Sequence, residues 1–298
     1  VKRGLVVLAL GACVPALGST DAVVSSPRIL AVRADPAEAK PGASVTVTAL
    51  VASPGRTVMA PAIGWSFCTV PKPLTEDNVV SSACLDGSSP IQAGAGGTIT
   101  AATPANGCSL FGPIASPGGA RPRDPDVTGG YYQPLRADLV GSDATFALLR
   151  ITCDLANAPA ASAAAFAAAY RPNENPTLRP VAATVDGAAV SLASILAGAR
   201  VELTASWPAA SAETYAYYDA ASDTVGSKRE SMSLSWYATV GTLDTEATGR
   251  AEDDPATSSN NAWTLPPTAG TAFLWIVLRD SRGGVDFASY EVSVVGQE

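Results

Sequence analysis

Met232-Ser-Leu-Ser-Trp-Tyr-Ala-Thr-Val240 alternates almost without fault: Met232, Leu234, Trp236, Ala238 and Val240 fall on one face of an extended chain, Ser233, Ser235, Tyr237 and Thr239 on the other. A period of two with one apolar face is the pattern of a half-buried β-strand, so Trp236 is expected in a core. The same grammar occurs upstream. Ile63-Gly-Trp-Ser-Phe-Cys-Thr69 puts Trp65 and Phe67 on one face and Cys68 on the other. Each tryptophan strand follows a segment of similar pattern, Ala43-Ser-Val-Thr-Val-Thr-Ala-Leu-Val51 and Ala199-Arg-Val-Glu-Leu-Thr-Ala-Ser-Trp207, which match at alanine, valine, threonine and alanine.

Working outward, Arg28-Ile-Leu-Ala-Val-Arg-Ala-Asp35 and a Lys40-Pro41-Gly42 turn precede the first alternating strand. Tyr131 to Val140 and Thr145 to Cys153 form a hairpin across Gly141-Ser142-Asp143. Near the C-terminus, Thr271-Ala-Phe-Leu-Trp-Ile-Val-Leu-Arg279 is apolar on both faces, as in a central strand, and turns through Asp280-Ser-Arg-Gly-Gly284 into Val285 to Val294. The pattern predicts a mainly β protein, with two tandem immunoglobulin-like β-sandwich domains over 27–155 and 177–296. Between them, at 156–176, lies an Ala-rich helical connector. Its core, Asn157 to Tyr170, has Asn157 as a candidate cap and Pro159 in the first turn. Arg171-Pro172 ends it, and Phe166 and Tyr170 share one face.

These strands, their turns and the tryptophan on the third strand resemble bacterial immunoglobulin-like β-sandwich modules over most of residues 28 to 295. Cys68 departs from that pattern, because it lies on the tryptophan's own strand and faces the other way. With Lys2-Arg3, an apolar run to Leu10 and Cys13 at its start, the chain is also similar to uncharacterised predicted lipoproteins of GC-rich Gram-negative bacteria. That resemblance implies a location and no activity.

Residues 1–18 have the form of an export signal: Lys2-Arg3, a short apolar run to Leu10, and a small-residue exit. The run is too short to span a membrane, which takes about 20 apolar residues. Leu10-Gly11-Ala12-Cys13 resembles the lipobox of bacterial lipoproteins, which implies diacylation of Cys13 and, because Val14 follows, an outer-membrane address. Cleavage after Gly18 is the alternative and would release a secreted protein. Of five cysteines, four follow the leader, Cys68, Cys84, Cys108 and Cys153. An even set is expected to pair in an oxidising compartment, with Cys68–Cys84 and Cys108–Cys153 favoured among three connectivities. The bridges are then expected to pin the long Gly-, Pro- and Ser-rich stretch 71–130, about 60 residues and too long for an ordinary connection.

Composition narrows the chemistry. The chain has no histidine, which removes histidine-based triads, histidine zinc sites and the one base that titrates near neutrality unperturbed. No cysteine pair has the spacing of a zinc knuckle, so neither metal nor cofactor is expected. A net charge of −8 with scattered carboxylates argues against nucleic acid as a partner. The acidic groups at Asp124 and Asp126, at Glu252 to Asp254, and at Asp280 and Asp286 lack the calcium-loop pattern and are expected to be solvated turns. Tyr131, Tyr132, Tyr217 and Tyr218 are the candidate ligand contacts, and Tyr215 joins them as a possible platform for sugar rings. Trp207 and Trp263 lack the strand patterning of the other tryptophans and are candidates for exposure, with a core or rim position the favoured reading.

The expectation is therefore a non-enzymatic extracytoplasmic lipoprotein, a structural or protein-binding module of the cell envelope that touches the membrane only through its N-terminal lipid. Its partner would be an envelope protein or a glycan. A secreted carbohydrate-binding protein using the tyrosines and the long loop is the alternative.

Overall fold

A computed structural model describes residues 22–71, 80–88, 90–112, 127–155 and 158–296. The leader with Cys13, Lys72, Asp124, Asp126 and the candidate cap Asn157 lie outside them. The chain is mainly β. In order, its first half carries β1 (Arg28–Asp35), β2 (Glu38–Ala39), β3 (Ser44–Ser53), β4 (Arg56–Thr57), β5 (Ile63–Cys68), α1 (Ser82–Leu85), β6 (Pro90–Ala95), β7 (Thr98–Ala102), α2 (Gly107–Phe111), β8 (Gly130–Leu139) and β9 (Thr145–Thr152). The helix α3 (Ala160–Ala169) follows. The second half carries β10 (Ala182–Val185), β11 (Ala188–Val190), β12 (Ser194–Leu196), β13 (Arg200–Ser206), β14 (Thr214–Asp219), β15 (Thr224–Arg229) and β16 (Met232–Ala238). It ends with β17 (Thr242–Leu243), β18 (Ala247–Arg250), β19 (Ser258–Thr264), β20 (Gly270–Asp280) and β21 (Val285–Val295).

Four sheets stack face to face. The first has the order β2-β9-β8-β5-β6, and the second β1-β3-β4 with β7 also on β3. The third is β12-β21-β20-β16-β18 and the fourth β11-β10-β13-β19-β17. Trp65, Phe67, Leu135 and Leu149 of the first sheet pack on Val45, Val47 and Val51 of the second. Trp236, Leu274, Ile276 and Leu278 of the third pack on Val201, Leu203 and Trp263 of the fourth. Between second and third sheets lies another apolar layer, in which Leu30, Ala31, Leu50 and Ala52 meet Phe273, Trp275, Val277 and Val285.

This middle layer explains two sequence patterns. β20 is apolar on both faces because both are covered, one by the fourth sheet and one by the second. β3 alternates only in its first half; Leu50, Val51 and Ala52 are consecutively buried because the two faces of its second half serve different cores. The same covering places Trp207 and Trp263 in the core with the patterned tryptophans, since all five are fully buried. Trp207 closes the fourth sheet's core beside Pro208, and Trp263 donates its indole N–H to the Val240 carbonyl at 3.0 Å.

The long stretch 71–130 contains β6, which pairs with β5, and β7, which pairs with β3, together with two short helices. Cys68–Cys84 ties β5 to α1, and Cys108–Cys153 ties α2 to the residue following β9, with Cα separations of 5.6 and 5.4 Å. Both bridges therefore pin inserted segments to the first sheet rather than joining two sheets.

Trp275 is the widest side chain of the middle layer and donates to Thr57 Oγ1 at 2.8 Å across it. Trp275→Ala is expected to cost about 3–5 kcal/mol, from lost burial and the cavity left behind. A urea titration followed by far-ultraviolet circular dichroism checks this as a lowered midpoint.

Candidate functional site

The short strand β2 runs parallel to β9 and sets Glu38 directly beside Arg150. Both side chains are buried, and Arg150 Nε donates to Glu38 Oε2 at 3.1 Å. The carboxylate is filled from three further sides: Thr152 Oγ1 at 3.0 Å, the Asn173 backbone N–H at 2.8 Å, and the Tyr170 hydroxyl. Burial is the largest single influence on Arg150 and opposes its charge, but Glu38 together with Tyr132 and Tyr170 outweighs it and the guanidinium pKa is raised. Burial beside Glu38 pushes the Tyr170 phenol up to about 12, so it stays a donor. Arg150 also reaches the carbonyl and hydroxyl of Thr128 at 3.1 Å and lies over the Tyr132 ring.

A second buried guanidinium answers this one across the junction. Arg282, in the β20–β21 turn, donates to Glu230 Oε1 at 2.7 Å, Glu213 Oε2 at 2.8 Å and the Arg171 carbonyl at 2.9 Å, and it lies over the Tyr215 ring. Asp280 Oδ1 accepts from the backbone N–H groups of Arg282 and Gly284 at 2.9 and 2.8 Å, closing the turn. Gly284 is required there, since a Cβ would sit 2.0 Å from Asp280 Oδ2. Tyr132 hydroxyl donates to the Arg282 carbonyl at 3.3 Å, so the two halves of the network touch. The segment after α3 threads between them: Asn173 donates to Glu38 through its backbone and to Asp280 through its side chain.

Two carboxylates, Glu213 and Glu230, thus hold the guanidinium, and a third, Asp280, holds the backbone of the same turn. Burial raises the pKa of all three. For Glu230, burial and then the Asp280 charge outweigh Arg282 and push the carboxyl up to about 7. Beside this cluster opens a pocket of about 450 Å³ lined by Arg171, Glu174, Ala209, Ala210, Glu213 and Thr214. Both signs of charge and small apolar side chains line it. Among the described residues there is no group of three or more cysteine, aspartate and glutamate side chains placed to hold a metal ion.

The tyrosines expected to contact a ligand are divided by the structure. Tyr131 and Tyr132 are neighbours on β8 and point to opposite faces; Tyr131 packs on the Cys108–Cys153 bridge and Ile151, Tyr132 joins the Arg150 network. Tyr218 is buried beneath Phe166 of α3 and donates to Asp223 Oδ1 at 3.0 Å. Tyr217 is half-buried with the Lys228 ammonium over its ring. Asp280 is buried rather than a solvated turn, and Asp286 pairs with Arg33 at 2.7 Å. Sequence reading missed Glu38, Arg150, Glu230 and Arg282. A lone arginine in the apolar run Phe146 to Ile151 was the one signal for them.

No protein-family model and no curated protein sequence matches the chain. Among solved structures it is similar to the Yersinia pseudotuberculosis adhesin InvE, at 11% identity and a TM-score of 0.23, covering 93% of this chain and 62% of that one. It is also similar to chicken CNTN1 FN1–FN3 domains, at 12% identity and a TM-score of 0.21 over 91% of this chain and 66% of that one. The C-terminal domain of the Streptococcus pyogenes antigen I/II-family protein AspA aligns at 9% identity and a TM-score of 0.23 over 91% of this chain and 100% of that one. Overlaps this slight carry no argument about relationship or activity.

Two outcomes are expected of the network. Arg150→Leu strands the buried Glu38 charge and should cost about 3–5 kcal/mol, with part of it regained in Glu38→Gln/Arg150→Leu, read by chemical denaturation. Glu230 binds its proton more tightly folded than unfolded, so its contribution to stability is full below its ordinary carboxylate range and is lost as pH rises through about 7. A melting temperature that falls between pH 5.5 and 8 in the parent, and falls less in Glu230→Gln, is the expected result.

Proposed function

We propose that the chain is a non-enzymatic lipoprotein of the cell envelope, diacylated at Cys13 and held at the outer membrane, that serves as a rigid structural or protein-binding module. The observation that carries this reading is the locked connector. Between α3 and β10 the chain is gripped on one side by Glu38 and on the other by Asp280, Glu213 and Asp286, through the backbone or side chain of Asn173, Glu174 and Leu178. A linker held in this way transmits position instead of swinging, which suits a spacer or a presenting surface. Two disulfides fit an oxidising, extracytoplasmic compartment.

The pocket beside Glu213 and Arg171 is the surface assigned to the partner. Arg171 and Glu174 offer a donor fork and a carboxylate to peptide groups, while Ala209 and Ala210 leave room for side chains. Site-specific photo-crosslinking tests it in the producing cell. A crosslinker at Ala210 is expected to give one discrete protein adduct, lost on Glu213→Ala, while one at Val190 on the far sheet edge gives none. A glycan-array signal that vanishes on Tyr217→Ala, with no adduct at Ala210, would instead favour the carbohydrate-binding alternative.

A further inference from the structure

The stack has two unlike ends. One carries the charged junction, where β20 turns into β21. At the other, β16 runs out at Ala238, β20 begins at Gly270, and β12 and β21 finish side by side at Leu196 and Val295. The hairpin tip between β8 and β9 lies at this second end too, because Ser142 Oγ donates to the Pro27 carbonyl at 2.7 Å just before β1 begins. So does the crossover from β4 to β5, since the Val140 N–H donates to the Ala62 carbonyl.

This second end holds most of the large aliphatic side chains that the described residues leave in water. Met59 is 89% exposed and Val140 80%, and Val23, Leu196, Val240 and Val295 are also exposed. The remaining three, Leu85, Ile91 and Leu148, belong to the first sheet and its inserted segment. Singly exposed aliphatics need no explanation, but six at the tips of one end of a four-layer stack form an apolar rim. Charges among them are of both signs: Arg28, Arg56 and Asp143, and Arg200 paired with Glu202 and Asp244. The rim therefore has no basic field to draw it to anionic lipid.

The chain also enters the fold here. Ala22 and Val24 are buried, and their backbones pair with Ala238 on both sides of its peptide. Eight residues separate Cys13 from Ala22, so nine Cα-to-Cα steps give a covalent reach of at most about 30 Å. We propose that the end bearing Met59, Val140 and Val240 is a membrane-facing platform whose aliphatic tips rest in the headgroup layer of the bilayer that holds the lipid on Cys13. This rests on the lipoprotein reading above. It assigns the lipid to anchoring and the rim to orientation, and it turns the charged junction with its pocket away from the membrane.

The test uses the full chain as exported, with spin labels on Met59→Cys, Val140→Cys or, at the opposite end, Ser281→Cys. Each variant is reconstituted in phosphatidylcholine–phosphatidylethanolamine vesicles, and the mass of its N-terminal peptide is recorded alongside. With diacylated Cys13, labels at 59 and 140 are expected to be several-fold more accessible to oxygen than to a water-soluble nickel chelate, and the label at 281 the reverse. High salt should leave the contrast unchanged. Diacylated protein whose three labels are all aqueous would overturn the platform and leave the lipoprotein reading standing; an unacylated N-terminus would overturn both. An unchanged melting temperature in each variant excludes misfolding as the cause.

Discussion

Phe273, Trp275 and Val277 point away from the core that the third and fourth sheets share, and water is a poor neighbour for them. Apolar surface left uncovered costs about 25 cal/mol per Å², so three large side chains on one face represent several kcal/mol that the second half cannot recover alone. The second sheet supplies the cover through Leu30, Leu50 and Ala52. Once that layer is in place, much else is constrained. β1 lies along β21 with Arg33 on Asp286, Arg279 reaches the Leu30 carbonyl, and Trp275 finds Thr57.

The charged junction follows from the same docking. Bringing the second and third sheets face to face leaves the connector after α3 nowhere to run except between the β2–β9 edge and the β20–β21 turn. The buried Asn173 N–H and the half-buried Leu178 N–H need acceptors, which Glu38 and Asp286 provide, while the exposed Glu174 N–H is met by Glu213. Those carboxylates in turn need cations, and Arg150 and Arg282 stand where bidentate, always-charged donors are most useful. Such networks seldom add net stability over an apolar packing of equal volume, but they penalise any arrangement that leaves one member without its partners. Their value here is positional.

Local pattern made the strands legible, and nonlocal covering hid the rest. The alternation from Met232 to Ala238 and the two-faced run from Thr271 to Arg279 are properties of neighbouring residues, so the tryptophan strands and the last hairpin could be read directly. Trp207 and Trp263 looked available only because their covering partners lie on strands tens of residues away. Tyr218 looked available for the same reason, its cover being Phe166 on the connector helix. Arg282 sat inside what reads as an ordinary Asp-Ser-Arg-Gly-Gly turn, and nothing in a turn's composition says that its arginine is buried. Glu230, two residues ahead of the most legible strand, is buried because a turn about fifty residues onward bends back over it.

The middle layer joins residues more than two hundred positions apart, Thr57 with Trp275 and Arg33 with Asp286. Contacts of that sequence separation close late, because much of the chain must be synthesised and collapsed before they exist. A chain appearing N-terminus first can build the first and second sheets on their own core while Leu30, Ala31, Leu50 and Ala52 remain bare. Until β20 arrives, the nascent protein is a half-finished stack with a greasy outer wall, prone to self-association and suited to capture by a holdase. The layer that makes the finished molecule a single body is thus also what makes its assembly interval hazardous.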